Sequence, residues 1–187
     1  MSLLELPPWK LDFLQSLDWR LFETLCAKVF SEAGYQATEL NQGPDGEINL
    51  QLKIGNDSAK KIAVRCRRQK DSITAEQVKE FHRFAEDVGA NNFIFVSSGT
   101  FEDKCLSEFK RAHQLRLIDG KQFIEGMQDL GRDKANDLMK FVLGQAEWSI
   151  PTCPDCRVKM MRRVDREKKT AHWGCDTPHC NCTMPVE

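Results

Sequence analysis

Five of the eight cysteines stand in the last 35 residues, as Cys153-Pro-Asp-Cys156 and then, after an 18-residue spacer, Cys175-Asp-Thr-Pro-His-Cys180-Asn-Cys182. Two short knuckles carried on hairpins place four thiolates at the corners of a tetrahedron. Zn²⁺ accepts that geometry without ligand-field preference. A unit of this length buries too little surface to fold alone, so a metal is expected to supply the missing stability. The spacing predicts a structural zinc on Cys153, Cys156, Cys175 and Cys180, with Cys182 or His179 as alternatives for the fourth ligand. Four sulfurs leave no open position for water, so the zinc is not expected to be catalytic. Cys26, Cys66 and Cys105 stand singly in apolar stretches and read as small buried hydrophobes.

A second group of residues with chemical potential lies earlier. Residues 43–50, GPDGEINL, carry Asp45 and Glu47 through a turn into a strand. Paired carboxylates suit a hard divalent cation. Just beyond them, Lys60, Lys61, Arg65, Arg67, Arg68 and Lys70 put six cations within eleven residues. Such a run can neutralise nucleic-acid phosphates; the alternative is a charged edge strand that resists aggregation. In the cysteine unit, MMRRVDREKK supplies Arg162 and Arg163, and Trp173 offers a flat surface on which a base could stack. The alternative there is a solvated basic hairpin with Trp173 packed beside the zinc.

These residues need elements to hold them. WRLFETLCAKVFSEAG has helical apolar spacing, with Asp18 as its expected N-cap and Gly34 just past its end; a shorter helix is expected after Pro7-Pro8. YQATEL reads as a strand. Residues 47–54 and 61–67 alternate as a hairpin with one apolar face (Ile48, Leu50, Leu52, Ile54; Ile62, Val64, Cys66) and one polar face (Glu47, Asn49, Gln51, Lys53; Lys61, Ala63, Arg65, Arg67). TAEQVKEFHRFAEDVGA is an amphipathic helix opened by a Thr74–Gln77 capping box. NNFIFVSS is a strand covered on both faces. A further helix, the short strand LRLID and helical material ending near Gly144 follow. This order predicts an α/β fold, a mixed sheet flanked by helices over residues 1–145, then the linker QAEWSIP and a small second unit over 152–187.

Composition sets outer bounds. A net charge of -1 confines any nucleic-acid contact to local patches. No apolar run approaches the ~20 residues of a membrane span, and MSLLELPPWKLDF lacks the marks of a secretory signal. The expected setting is cytoplasmic, with no membrane partner.

Two resemblances extend the reading. CPDCRVKMMRR followed by HWGCDTPHC is similar to the zinc ribbon of bacterial type IA topoisomerases, although Arg157 stands where that pattern has glycine and the second knuckle is shorter. Such ribbons imply DNA contact. From about residue 12 to 125, the succession WRLFETLCAKVFSEAGYQATEL, GPDGEINL, IAVRCRR, NFIFVSSGTF and LRLIDGKQF resembles the Mrr-like restriction endonuclease domain of the PD-(D/E)xK fold. That resemblance implies a Mg²⁺-dependent DNA endonuclease fold, and a homodimer where both strands are cut. It places Glu23 at the helix glutamate and Asp45 at the first aspartate of the turn. Asn49 stands where the family has its metal-binding aspartate, Arg65 where it has Gln or Glu, Arg67 where it has lysine, and Glu47 where it has glycine.

The substitutions alter the chemistry. An amide brings no negative charge to a metal, and an arginine at 65 repels one. A guanidinium at 67 grips phosphate but relays protons poorly. The expected function is DNA binding by a nuclease-like domain with an impaired site, contacted through Lys61, Arg65, Arg67, Arg68, Lys70, Arg162, Arg163 and Trp173. The alternatives are an active endonuclease using Glu23, Asp45 and Glu47, or a zinc-ribbon adaptor for a protein partner.

Overall fold

A computed structural model describes residues 6–42, 48–54, 61–87, 89–165 and 169–186. The first helix, α1 (Leu11–Ser16), turns at Leu17 into α2 (Trp19–Glu32), which ends at Gly34 with φ 92, a left-handed value that glycine adopts freely. Strands β1 (Tyr35–Gln42), β2 (Ile48–Ile54) and β3 (Ile62–Arg67) form an antiparallel meander. Helix α3 (Ala75–Asp87) then crosses over to β4 (Asn92–Ser97), and α4 (Asp103–Phe109) to β5 (Leu115–Ile118), both strands running parallel to β3. Helices α5 (Gly120–Asp129) and α6 (Arg132–Leu143) close the unit. The result is a five-stranded mixed sheet in chain order, β1-β2-β3-β4-β5.

Helices cover both faces of this sheet. On one side Leu50, Leu52, Val64, Cys66, Ile94 and Val96 pack with Phe22, Leu25 and Cys26 of α2 and with residues of α5 and α6. On the other, Ala63, Phe93 and Phe95 meet Val78 and Phe81 of α3 and Cys105 of α4. Phe81 and Phe101 set their edges on Phe95 at 5.6 and 5.9 Å between ring centres, a geometry the aromatic quadrupole favours. The Thr74–Gln77 box forms as its spacing implies, each residue's backbone N–H donating to the other's side chain.

The expected polar face of the hairpin is not an open one. As the middle strand, β3 is buried on both sides: Ala63 is 2% and Arg65 3% exposed, while Gln51 and Lys53 of β2 are half-buried. Leu50, Leu52, Val64 and Cys66 share one core and Ala63 lies in the other, as alternation implies; the covering by α3 and α4 removes the solvent from the second face.

Residues 161–185 carry a second, antiparallel sheet of β6 (Met161–Asp165), β7 (Thr170–Gly174) and β8 (Thr183–Pro185). It does not hang from a free linker. Trp148 lies 5.1 Å from Phe13 between ring centres, and its carbonyl accepts from the Asp18 N–H. Asp18, read from the sequence as a helix cap, makes no capping bond. Its 4%-exposed carboxylate instead accepts from the Thr152 N–H (2.9 Å), the Thr152 hydroxyl (2.6 Å) and the Lys159 ammonium (2.8 Å). The Trp19 indole N–H donates to the Thr152 carbonyl at 2.7 Å. No helix among the described residues is long and apolar enough to cross a membrane.

Asp18→Ala should therefore cost about 2–3 kcal/mol in urea unfolding, because it strands two buried donors and a cation. Loss of a helix cap alone would cost nearer ~1 kcal/mol.

Candidate functional site

Glu23 lies on the buried side of α2, 3% exposed, one turn before Cys26. Asn49 and Arg65 are direct partners in the β2–β3 register, so the two positions sit side by side across the hairpin. Arg67 ends β3, half-buried, with its backbone paired to Ser97 of β4. Asp45 and Glu47 lie outside the described residues, as do Lys60 and the 166–168 part of the second basic run.

The six-cation run does not form one patch. Lys61 precedes β3, where its carbonyl accepts from Asn91, whereas Arg67, Arg68 and Lys70 follow at the other end. Six residues of strand separate these ends by about 20 Å. Arg65 between them is interior. On the second sheet, Arg163 is spent locally: it pairs with Asp176 at 2.9 Å, and its chain lies where a Cβ on Gly174 would fall. Arg162 is exposed and in register with Trp173. The structure brings Arg68, Lys70 and Trp173 together: all three line one cavity of about 310 Å³ between the two sheets.

The Ser-Ser-Gly turn after β4 is occupied by the protein itself. The Ser97 hydroxyl accepts from Gly99 N–H, and the Ser98 hydroxyl exchanges bonds with the backbone of Gln69. A Cβ on Gly99 would lie 2.7 Å from the Asp71 carbonyl. This turn fixes the course of residues 69–71, and with it the placement of Lys70.

In the cysteine unit, the sulfurs of Cys153, Cys156, Cys175 and Cys180 all lie within 4.8 Å of one another. Cys153 and Cys180 are 3.8 Å apart, the edge expected of a tetrahedron with Zn–S bonds near 2.3 Å, about 3.8 Å. The Cys156 N–H points to the Cys153 sulfur at 3.5 Å. Bonds from the Thr177 side chain and then its backbone draw the Cys175 thiol down to about 6, which favours a thiolate ligand. Cys182 groups with Cys153 and Asp155 instead. Geometry thus favours Cys180 over Cys182 as the fourth member. His179 is exposed and belongs to neither group.

Arg157 was a signal only partly used. It has φ 62, a left-handed backbone that explains the glycine usual at that point of the pattern. Its guanidinium sits 5.8 Å from the centre of the Trp19 ring, a further tie between α2 and the cysteine unit.

The solitary cysteines behave as packing groups. All three are fully buried; burial raises the Cys105 thiol to about 11 and, with Cys66 beside it, the Cys26 thiol well above its ordinary value. Since the thiolate is the reactive form, iodoacetamide at pH 8 should leave Cys26, Cys66 and Cys105 unmodified in the folded protein and label them in guanidinium. Mass spectrometry of the digests checks this.

Residues 14–127 match the Mrr_cat family model, a restriction endonuclease domain. Similar solved structures include the MspJI restriction endonuclease in complex with a 27-mer oligonucleotide (18% identity, TM-score 0.43, covering 71% of this chain and 32% of that one). Another is the DNA modification-dependent restriction endonuclease AspBHI (11% identity, TM-score 0.46, covering 78% and 45%). The chain thus matches less than half the length of either protein. No curated protein matches it. With the family match spanning well over half of its residues, the chain belongs to the Mrr_cat restriction endonuclease family.

Proposed function

We propose that this chain is a DNA-binding member of its family in which the metal-dependent cleavage site has been dismantled. The observation that carries this is the pairing of Asn49 with a buried Arg65. An exposed arginine can swing aside to admit a cation; one that is 3% exposed cannot leave without unpacking the sheet. Its guanidinium stays protonated throughout the physiological range. With asparagine in place of a carboxylate at 49 and arginine at 65, the sequence offers a poor ligand set for Mg²⁺, which prefers carboxylate oxygens. These described positions do not fit the ion, and no catalytic step is assigned through it.

The same charges suit a phosphate. Arg67, Arg68 and Lys70 leave the end of β3 together. Phosphate contacts of this kind give affinity that is independent of sequence and sensitive to salt. We assign residues 1–145 to the nuclease-fold domain and 152–187 to a zinc ribbon, with structural Zn²⁺ on Cys153, Cys156, Cys175 and Cys180. The compact four-sulfur group supports that ligand set. One specific observation favours a second reading, an active endonuclease: the buried carboxylate of Glu23 is retained on α2. Asp45 and Glu47 would then have to complete its metal site.

Three measurements test the proposal. Supercoiled DNA incubated with Mg²⁺ or Mn²⁺ should stay intact with the wild-type protein; nicking that vanishes in Glu47→Ala establishes the second reading instead. Asn49→Asp with Arg65→Gln and Arg67→Lys should gain cleavage. Gel shifts should show duplex binding that weakens steeply between about 50 and 200 mM salt; absence of binding at low salt leaves a protein adaptor in front. Metal analysis should find a single zinc per chain, lost in Cys153→Ser and kept in Cys182→Ser.

A further inference from the structure

We infer that the cavity between the two sheets is a binding site for one unpaired nucleotide of a DNA strand, its base against Trp173 and its phosphate on Arg68 and Lys70. This rests on the DNA-binding reading and makes it specific. The cavity is built by residues from four parts of the chain, Ser149 and Pro151 of the connecting segment among them. Gln15 and Ser16 come from the end of α1, Arg68 and Lys70 from the segment after β3, and Trp173, Met184 and Pro185 from the second sheet.

Its chemistry is divided as a nucleotide is divided. One wall is flat and apolar: Trp173 and Met184 are register partners on neighbouring strands, and Pro185 and Val186 continue that wall. The same lining carries two cations, Arg68 and Lys70. Asp18, also among the lining residues, has its carboxylate engaged by Thr152 and Lys159. At about 310 Å³ the space lies at the small end of ligand sites, about 300–1,000 Å³. That holds a single nucleotide and excludes a duplex. Stacking on an aromatic ring requires a base freed from its own stack, so the occupant is an unpaired residue.

The walls are held rather than hinged. The Asp18 carboxylate, the Trp19–Thr152 bond and the Arg157–Trp19 contact join the two units directly beside the cavity. The Ser98–Gln69 bonds hold the cationic wall from behind. Little ordering is then needed on binding, which preserves affinity.

The test uses the full zinc-loaded chain and fluorescence anisotropy with three labelled DNAs: a short oligothymidylate, the same strand with abasic sites, and a blunt duplex. Wild type should bind oligothymidylate about tenfold tighter than the abasic strand. Trp173→Leu should erase that preference, and Lys70→Glu should weaken binding to both strands. Because Trp173 also packs against the cysteine cluster, Val186→Glu provides a second variant. It places a carboxylate at the rim from an exposed position and should lower oligothymidylate binding while zinc content is unchanged. Duplex bound normally but thymidylate and abasic strands bound equally by wild type overturns the cavity and leaves the DNA-binding reading intact. Failure to bind any of the three at low salt sinks both.

Discussion

The position of β3 in the middle of the sheet governs much of this molecule. It pairs antiparallel with β2 and parallel with β4, so both its edges are used, and α2 and α3 cover its two faces. A side chain on such a strand is interior whatever its polarity. Arg65 is therefore a charge that the fold must accommodate, since a guanidinium cannot discharge itself by losing a proton. Burying a charge is costly unless neighbours are arranged for it.

That strand also delivers the cationic segment. Arg67 is the last residue of β3; the chain then leaves the sheet, and the bonds from Ser98 to Gln69 set its path. Arg68 and Lys70 arrive beside the second sheet because this turn is tight, with no room for a side chain at Gly99. The Asp18 carboxylate completes the arrangement from the other direction by seizing Thr152 and Lys159, residues more than a hundred positions away. Its neighbours Trp19 and Arg157 reinforce the joint. A small unit with a minimal core gains a wall of the larger one to rest on.

Much of the fold was legible in residue order. The helix from Trp19, the Thr74 box, the Gly34 stop and the alternation of Leu50, Leu52, Val64 and Cys66 depend on interactions within a few residues, and each formed as its spacing implies. The misreadings share one cause. Asp18 has the right type and place for a cap, but distant donors outbid the helix for its oxygens. Lys61 and Arg67 are six residues apart in a dense basic run, yet an extended strand carries them to opposite ends of the sheet. Trp148, within QAEWSIP, meets Phe13 from far along the chain, a contact that no local pattern announces.

Short motifs, through their resemblance to a known family, pointed to that family, and local periodicity and spacing determined the order of the elements and a cysteine cluster whose fourth member they left open. Only tertiary packing decided that Arg65 is interior, that Asp18 is a joint, and that Arg68, Lys70 and Trp173 line one cavity. The physical reason is reach. Hydrogen bonding along a helix or strand couples residues a few positions apart and leaves a repeating trace. A contact between residues 18 and 152, or 70 and 173, arises when finished elements are pressed together, and leaves no period in the chain.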